Sequence, residues 1–350
     1  MMGGVSVEAF AAAPGYLNAA TMGLPPLAAR RALTDALDDW QRGATQAADY
    51  DADVQRCRQL FARLVDVPSS QVAIGSQASV TAGLVGASLP DGASVVCVAG
   101  DFTSIIFPFL VHADRGVTVR HVPGQQLAGE LRAGDDLVVF SSAQSADGTT
   151  IDVPGVVDAA RAVGALTFCD TTQAVGWLES PAADLDVTVC AAYKWLCCPR
   201  GVAFSTFSDR ALRSVRPVNA GWYAGESVWD SCYGPDMRLA EDARRFDVSP
   251  AWLTWVGAVP ALQLIADLDP VQRRHGARLA DRLRDGLGLQ RESRPVLALA
   301  DADGTRAKAL TAAGCTIAAR AGRVRIAFHL WNTQADVDLA LGVLADAPRP

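Results

Sequence analysis

The stretch CDTTQAVGWLESPAADLDVTVCAAYKWLCCPRG, residues 169–201, sets a lysine inside a run of apolar and aromatic residues. Lys194 follows the strand-like DVTVCAAY and precedes Trp195-Leu196. The chain has 31 basic residues, yet only Lys194 and Lys308 are lysines; all the others are arginines. Lys308 lies in GTRAKAL, an ordinary polar helix face. Burying a lysine costs free energy unless something uses or neutralises it. A lysine that sheds its proton readily when buried is suited to Schiff-base chemistry.

Working outward, apolar β-branched runs occur at 71–74, 94–99, 117–122, 136–140, 166–170, 187–191 and 201–207. Helical patterns lie between several of them, as at 78–88 and 154–164. Alternation at this spacing predicts an α/β fold with a mostly parallel central sheet covered by helices. No G-x-G-x-x-G opens a helix after the first strand and no G-x-x-x-x-G-K-[ST] is present, so a nicotinamide Rossmann site and a P-loop are unsupported. After about residue 215 the pattern changes. A Gly- and aromatic-rich loop, NAGWYAGESVWDSCYG, leads to helices over about 251–267 and on to about 285. A hairpin around Ala321-Gly322 and a helix from about Thr333 follow. The expected division is a large domain over 14–240 and a smaller α+β domain over 241–350, joined by the N-terminal segment 1–13.

Half of the 350 residues are hydrophobic and a fifth are charged, a globular balance. The net charge of -7 and the lack of a basic cluster speak against nucleic-acid partners. The N-terminus lacks a signal-peptide pattern and no uninterrupted apolar run is long enough for a span. A cytoplasmic protein without membrane association is expected. Eight cysteines and four histidines show no metal-ligand spacing. Cys97, Cys169, Cys190, Cys197 and Cys198 sit in or beside apolar runs, where cysteine acts as a small hydrophobe. No metal is expected.

Three elements converge in chemistry. Asp170 ends one strand, with Gln173 three residues on. Tyr193-Lys194 ends a second. The turn IGSQASV (74–80) presents Ser76 and Gln77 at a helix N-terminus, whose free N–H groups form a natural phosphate seat. In an open α/β sheet, ligands gather at the carboxyl ends of the strands. A phosphate seat, a buried carboxylate and a buried lysine are together what pyridoxal 5'-phosphate requires: an imine partner, and a carboxylate that keeps the pyridine nitrogen protonated.

On these residues the chain resembles the fold type I pyridoxal-phosphate enzymes of the class V aminotransferase group, which includes cysteine desulfurases, kynureninases and isopenicillin N epimerase-like proteins. GYLNAATMGLPP (15–26), IGSQASV, GDFTSIIFPF (100–109), FCDTTQAVG (168–176), AAYKWL (191–196) and RVRIAFHLWNTQADVD (323–338) are similar, in order, to that group's motifs. The resemblance implies Lys194 as the imine lysine, Asp170 on the pyridine nitrogen and Gln173 on the ring oxygen. It further implies Phe102 stacked on the ring and Arg325 on the substrate carboxylate, with Arg323 two residues earlier on the same strand face as its rival. Tyr193 and Trp222 would contact the phosphate, as in kynureninases, whose Gly-Trp-aromatic loop NAGWYAGE (219–226) is similar. Either Gln144 or Ser145 would face the cofactor. A homodimer is implied, with the 219–226 loop reaching the cofactor at the interface.

Desulfurases carry a reactive cysteine shortly after the carboxylate-binding arginine; IAFHLWNT (326–333) has none. A Lys194 base alone suffices for the proton shift of transamination on a small α-amino acid, which tilts the reading slightly toward an aminotransferase. The kynureninase-like loop pulls toward a lyase cleaving Cβ–S or Cβ–C, and an epimerase belongs to the same group. The alternative of another class is a non-catalytic binding protein on this fold, which would need neither Lys194 nor Arg325.

Overall fold

The computed structural model describes residues 7–345. All seven expected runs form strands: β1 (Val72–Gly75), β2 (Ser94–Val98), β3 (Thr118–Val122), β4 (Leu137–Ser141), β5 (Leu166–Asp170), β6 (Val187–Ala191) and β7 (Ala203–Phe207). They make one sheet of order β1-β7-β6-β5-β4-β2-β3. Pairings from β3 through β6 are parallel, whereas β7 runs antiparallel to both β6 and β1. Strands β4, β6 and β7 are buried throughout, as a sheet covered on both faces requires.

Helices α1 (Leu27–Gln41), α2 (Asp51–Leu64), α3 (Ala78–Ser88), α4 (Phe107–Leu110), α5 (Val153–Val163) and α6 (Asp209–Ser214) fill the connections. Local chemistry sets the ends of α5. Asp152 accepts a hydrogen bond from the Gly155 N–H, Pro154 occupies the first turn, and Gly164 at φ 82° closes the helix in the left-handed region.

The rest of the chain supplies α7 (Trp252–Ala266), α8 (Pro270–Arg273), α9 (His275–Gly286), α10 (Thr305–Ala312) and α11 (Gln334–Ala345). With them come β8 (Val296–Ala300), β9 (Ala318–Arg320) and β10 (Arg323–Ala327), an antiparallel sheet of order β8-β10-β9. The expected hairpin is thus two strands of a three-stranded sheet. Helix α7 packs on α1 and α2, and its Trp255, Ala258, Ala261, Leu262 and Ile265 share a core with Phe204 and Val72 of the large sheet. The small sheet has its own core with α9, α10 and α11, which Leu17 joins. We therefore propose the division between the two units after α7 rather than at residue 240. The N-terminal chain crosses to the small unit at Tyr16 and Asn18, which bridge to Thr316 and Ala327. Residues 1–6 of the segment expected to join it lie outside the described residues.

Candidate active site

The carboxyl ends of β1, β2, β4, β5 and β6 lie along one edge of the large sheet. Asp170 is the last residue of β5, and Lys194 follows β6 by three. Lys194 is 6% exposed. Its Nζ meets no hydrogen-bond acceptor among the described residues and stands 5.6 Å from the ring centroids of both Phe102 and Tyr193. Burial lowers its pKa from 10.5 to about 8, against the opposing pull of the nearby Asp170 carboxylate; Arg325 adds to the lowering. Asp170 is 4% exposed and one of its oxygens accepts the Thr172 N–H at 2.8 Å. Burial pushes its pKa up. Both groups are thus driven toward their neutral forms by the same loss of solvent.

Two glycines let other chain segments reach the lysine loop. A Cβ on Gly23 would lie 2.0 Å from the Lys194 carbonyl oxygen, and the Gly23 N–H donates to the Tyr193 carbonyl at 2.9 Å. Gly176, at φ 114°, has the Trp195 carbonyl oxygen 2.9 Å from where its Cβ would stand.

Gln173 is buried with its amide fully engaged. Nε2 donates to the Ala20 carbonyl at 2.9 Å and to Ser145 Oγ at 3.3 Å, while Oε1 accepts from Trp195 Nε1 at 2.8 Å. The two candidates in the neighbouring loop do different work. Ser145 meets Gln173 and gives its carbonyl to Arg325; Gln144 donates to Asp101 at 3.1 Å. Ser76 and Gln77 are exposed at the start of α3, with no side-chain cap on its first N–H groups. Tyr193 is half-buried, with the Arg200 guanidinium 5.4 Å over its ring. Trp222 packs on Tyr223 and Trp229, centroids 5.2 and 5.0 Å away, and those two both donate to Asp51. None of these ring contacts reaches Tyr193 or Lys194.

Arg325 on β10 is 2% exposed. Its Nη2 donates to Thr21 Oγ1 at 2.7 Å and Nη1 to the Ser145 carbonyl, while the buried Nε has no partner. No carboxylate lies within ion-pair distance among the described residues. Burial brings its pKa down to about 10. Arg323 faces solvent and pairs with Asp147 at 3.3 Å.

Three participants escaped the sequence reading. Asp101 is a buried carboxylate beside Phe102: Oδ1 accepts the Phe102 N–H (2.7 Å) and Ser141 Oγ (2.6 Å), and Oδ2 accepts the Ser141 N–H (2.8 Å) and the Gln144 amide. It ties the ends of β2 and β4 together under the Phe102 ring. Thr21 holds Arg325. His329 lies between Trp195 and Trp331, centroids 5.3 and 4.6 Å apart from its own. Its Nδ1 accepts the Leu330 N–H, so its proton sits on Nε2, which donates to the Trp195 carbonyl at 3.0 Å. Only Asp101 had an available signal, an acid at a strand end directly before the aromatic residue in GDF.

Asp170 faces away from a separate cavity of about 470 Å³, which Ser142, Cys169 and Thr171 line beneath the opposite sheet face. The residues of the edge suit pyridoxal phosphate. The unpaired amine, the carboxylate with a free oxygen, the exposed Phe102 ring and the uncapped start of α3 match its four demands.

A buried lysine past the sixth strand of such a sheet, facing a carboxylate at the end of the fifth, defines a fold type I pyridoxal-phosphate enzyme. More narrowly, the chain belongs to the aminotransferase class-V family, whose model matches residues 28–311. A kynureninase of Deinococcus radiodurans is 26% identical over 245 residues, 66% of this chain and 58% of that protein. The matched stretch therefore spans under two thirds of that relative. Among solved structures, the cystine C–S lyase C-DES in complex with its product cysteine persulfide superposes with a TM-score of 0.84 at 20% identity, covering 96% of this chain and 98% of the other. A lysine-to-alanine mutant of C-DES with glycine covalently linked to the PLP cofactor gives 0.85 at 20% identity, covering 96% and 97%. The Escherichia coli cysteine desulfurase CsdA gives 0.81 at 17%, covering 96% of each chain. Among the described residues no helix is long and apolar enough to cross a membrane.

Proposed function

We propose that the protein is a pyridoxal-phosphate-dependent lyase that breaks a bond at Cβ of an α-amino acid. The observation that carries this reading is a buried Lys194, its pKa lowered by burial, beside a buried carboxylate and a buried guanidinium that has no acid of its own among the described residues. When bound, pyridoxal phosphate supplies an electron sink for the pair released at Cα. Lys194 Nζ would anchor the cofactor and would take the Cα proton as the Cβ substituent departs with the bonding pair, the departing group being the acceptor to which that proton can pass. The free oxygen of Asp170 would hold the proton on the ring nitrogen. Arg325 receives the α-carboxylate in its planar fork. The Phe102 ring would cover the cofactor, with Asp101 fixing the Phe102 backbone. Ser76, Gln77 and the first N–H groups of α3 seat the phosphate with Tyr193. Gln173 orders the lysine loop through Trp195.

The likeness to a kynureninase and to a cystine C–S lyase supports cleavage at Cβ. A desulfurase passing sulfur to its own thiol is disfavoured, since seven of the eight cysteines are buried and Cys232 is half-buried. Transamination is the second reading, favoured by the absence of an identified acid for a leaving group. Pyruvate and ammonium, or alanine, as products would support the lyase. A keto acid formed only when an amino acceptor is added would replace it with an aminotransferase.

We also propose a homodimer. Phe102 beside Lys194 and the exposed Phe107, Leu110 and Val111 that follow it make an apolar segment suited to a second copy, and Trp222 would approach the phosphate from that copy. A monomeric mass by light scattering at full activity would contradict it. Cofactor attachment should accelerate as pH rises through about 8, where the Lys194 amine becomes half neutral, and then level off. Attachment rates after stripping the cofactor measure this.

A further inference from the structure

Strands β9 and β10 pair with Arg320 opposite Arg323 and Ala318 opposite Arg325. Opposed residues of an antiparallel pair project to the same face, as do residues two apart on one strand. Arg320, Arg323 and Arg325 therefore share one face of the small sheet, and the fold treats them differently. Arg323 is neutralised by Asp147. Arg325 is buried on Thr21 and the Ser145 carbonyl. Arg320 is exposed, its guanidinium donates only to the carbonyl of its own neighbour Ala319 at 3.2 Å, and no carboxylate lies within ion-pair distance among the described residues. It nevertheless sits close to the chemistry, since it lies opposite Arg323, two residues along the same strand face from the buried Arg325. The hairpin tip that carries it is a tight one, with Ala321 at φ 48° and Gly322 at φ 69°, both left-handed.

An unpaired guanidinium on the rim of a site that already holds a cationic arginine repels that arginine and favours a ligand with two anionic ends. We propose that Arg320 is a specificity residue that binds a second oxyanion, on the side chain of the substrate, so that the enzyme takes acidic α-amino acids carrying a side-chain carboxylate. This rests on the reading of Lys194 and Arg325 as the receivers of an α-amino acid. The side-chain anion would lie toward the β9–β10 turn and the α-carboxylate toward Thr21.

Binding of unreactive probes tests this on the holoenzyme. Glutarate carries two carboxylates, while glutaramate has nearly the same shape and one neutral end. By calorimetry, glutarate should bind at least about tenfold more tightly, the size of one charge-assisted hydrogen bond. Arg320→Gln should remove the preference while leaving glutaramate binding unchanged. Arg323→Gln should leave both untouched, and Arg325→Gln should weaken both. The same split should appear in KM, with aspartate favoured over asparagine only while Arg320 is present. Equal binding of the two probes, no binding of glutarate, or a preference that survives in Arg320→Gln would overturn the inference. Should Arg325→Gln weaken neither probe and borohydride place no cofactor on Lys194, the underlying reading of the site falls, and this inference with it.

Discussion

Two sets of buried charges stand in this molecule, and they are built on opposite plans. Arg58 and Asp247 form a closed pair between α2 and the segment before α7. Arg58 Nη2 meets Asp247 Oδ2 at 2.6 Å, Nη1 meets Oδ1 at 3.2 Å and also the Val72 carbonyl, and Nε meets Gln55 at 3.3 Å. The Ile74 N–H completes the carboxylate at 2.8 Å. Every charge there has been answered from within the fold. At the edge of the sheet, Lys194, Asp170 and Arg325 are as deeply buried but held apart: no ion pair joins them, an Nε is left without a partner and an amine without an acceptor. A closed pair adds to structural definition. An open set retains unmet interactions, which a ligand can meet.

Substitutions separate the two sets of charges, and the largest effect should come from Lys194→Ala. Turnover should disappear along with the borohydride label, while the urea midpoint holds or rises, because an unpaired buried cation has been removed. A loss of stability like that expected for the closed pair would erase the distinction between the two sets. Next, Arg58→Met should strand the Asp247 carboxylate and cost about 3–5 kcal/mol in urea unfolding, with the absorbance of the bound cofactor unchanged in the folded fraction.

His329 gives a third effect. Burial lowers its pKa from 6.5 to about 4, so the native state excludes a proton that the unfolded chain accepts. Its contribution is complete above pH 6.5 and is lost as pH falls toward 4, about 3 kcal/mol at 1.36 kcal/mol per unit. Urea midpoints of the wild type and His329→Gln, compared at pH 7 and pH 4, should converge by that amount; parallel lines would show that the ring is not excluded from protonation. The smallest contrast lies on one strand. Arg325→Lys should raise KM for amino acids at least about tenfold through loss of the bidentate fork, whereas Arg323→Lys, at an exposed pair, should shift neither KM nor stability by more than a few tenths of a kcal/mol. The reverse ranking would move the carboxylate site outward along β10.

Much of this was legible in the chain itself. All seven strands of the large sheet declared themselves through β-branched runs, and Lys194 and Asp170 stood out because charge inside apolar strand ends is costly, whereas Arg325 was singled out from Arg323 only by the family resemblance. The reversal of β7 was less plain, although the short helix-free connection over 192–202 leaves no room for a parallel crossover. Strand β8, VLALA, escaped because leucine and alanine favour helix as readily as sheet. Thr21 could not be found by local pattern, because its importance lies in a partner far along the chain, Arg325. Asp101 carried a local hint, an acid at a strand end before the aromatic of GDF, but its tie to Ser141 is not encoded in the nearby residues. Trp222 shows the converse: its motif is legible, but its contacts within this chain go to Tyr223 and Trp229.

The crossing of the N-terminal chain bears on the order of synthesis. Leu17 exchanges backbone hydrogen bonds with Thr316 and Ala327, Gly15 donates to Asp336, and a few residues on, Gly23 closes over the carbonyl of Tyr193. A ribosome delivers residues 15–23 well before β10. The loop that braces the lysine can reach its final seat only when β10 has left the exit tunnel, so nascent chains truncated before β10 should carry the large sheet without a finished catalytic edge.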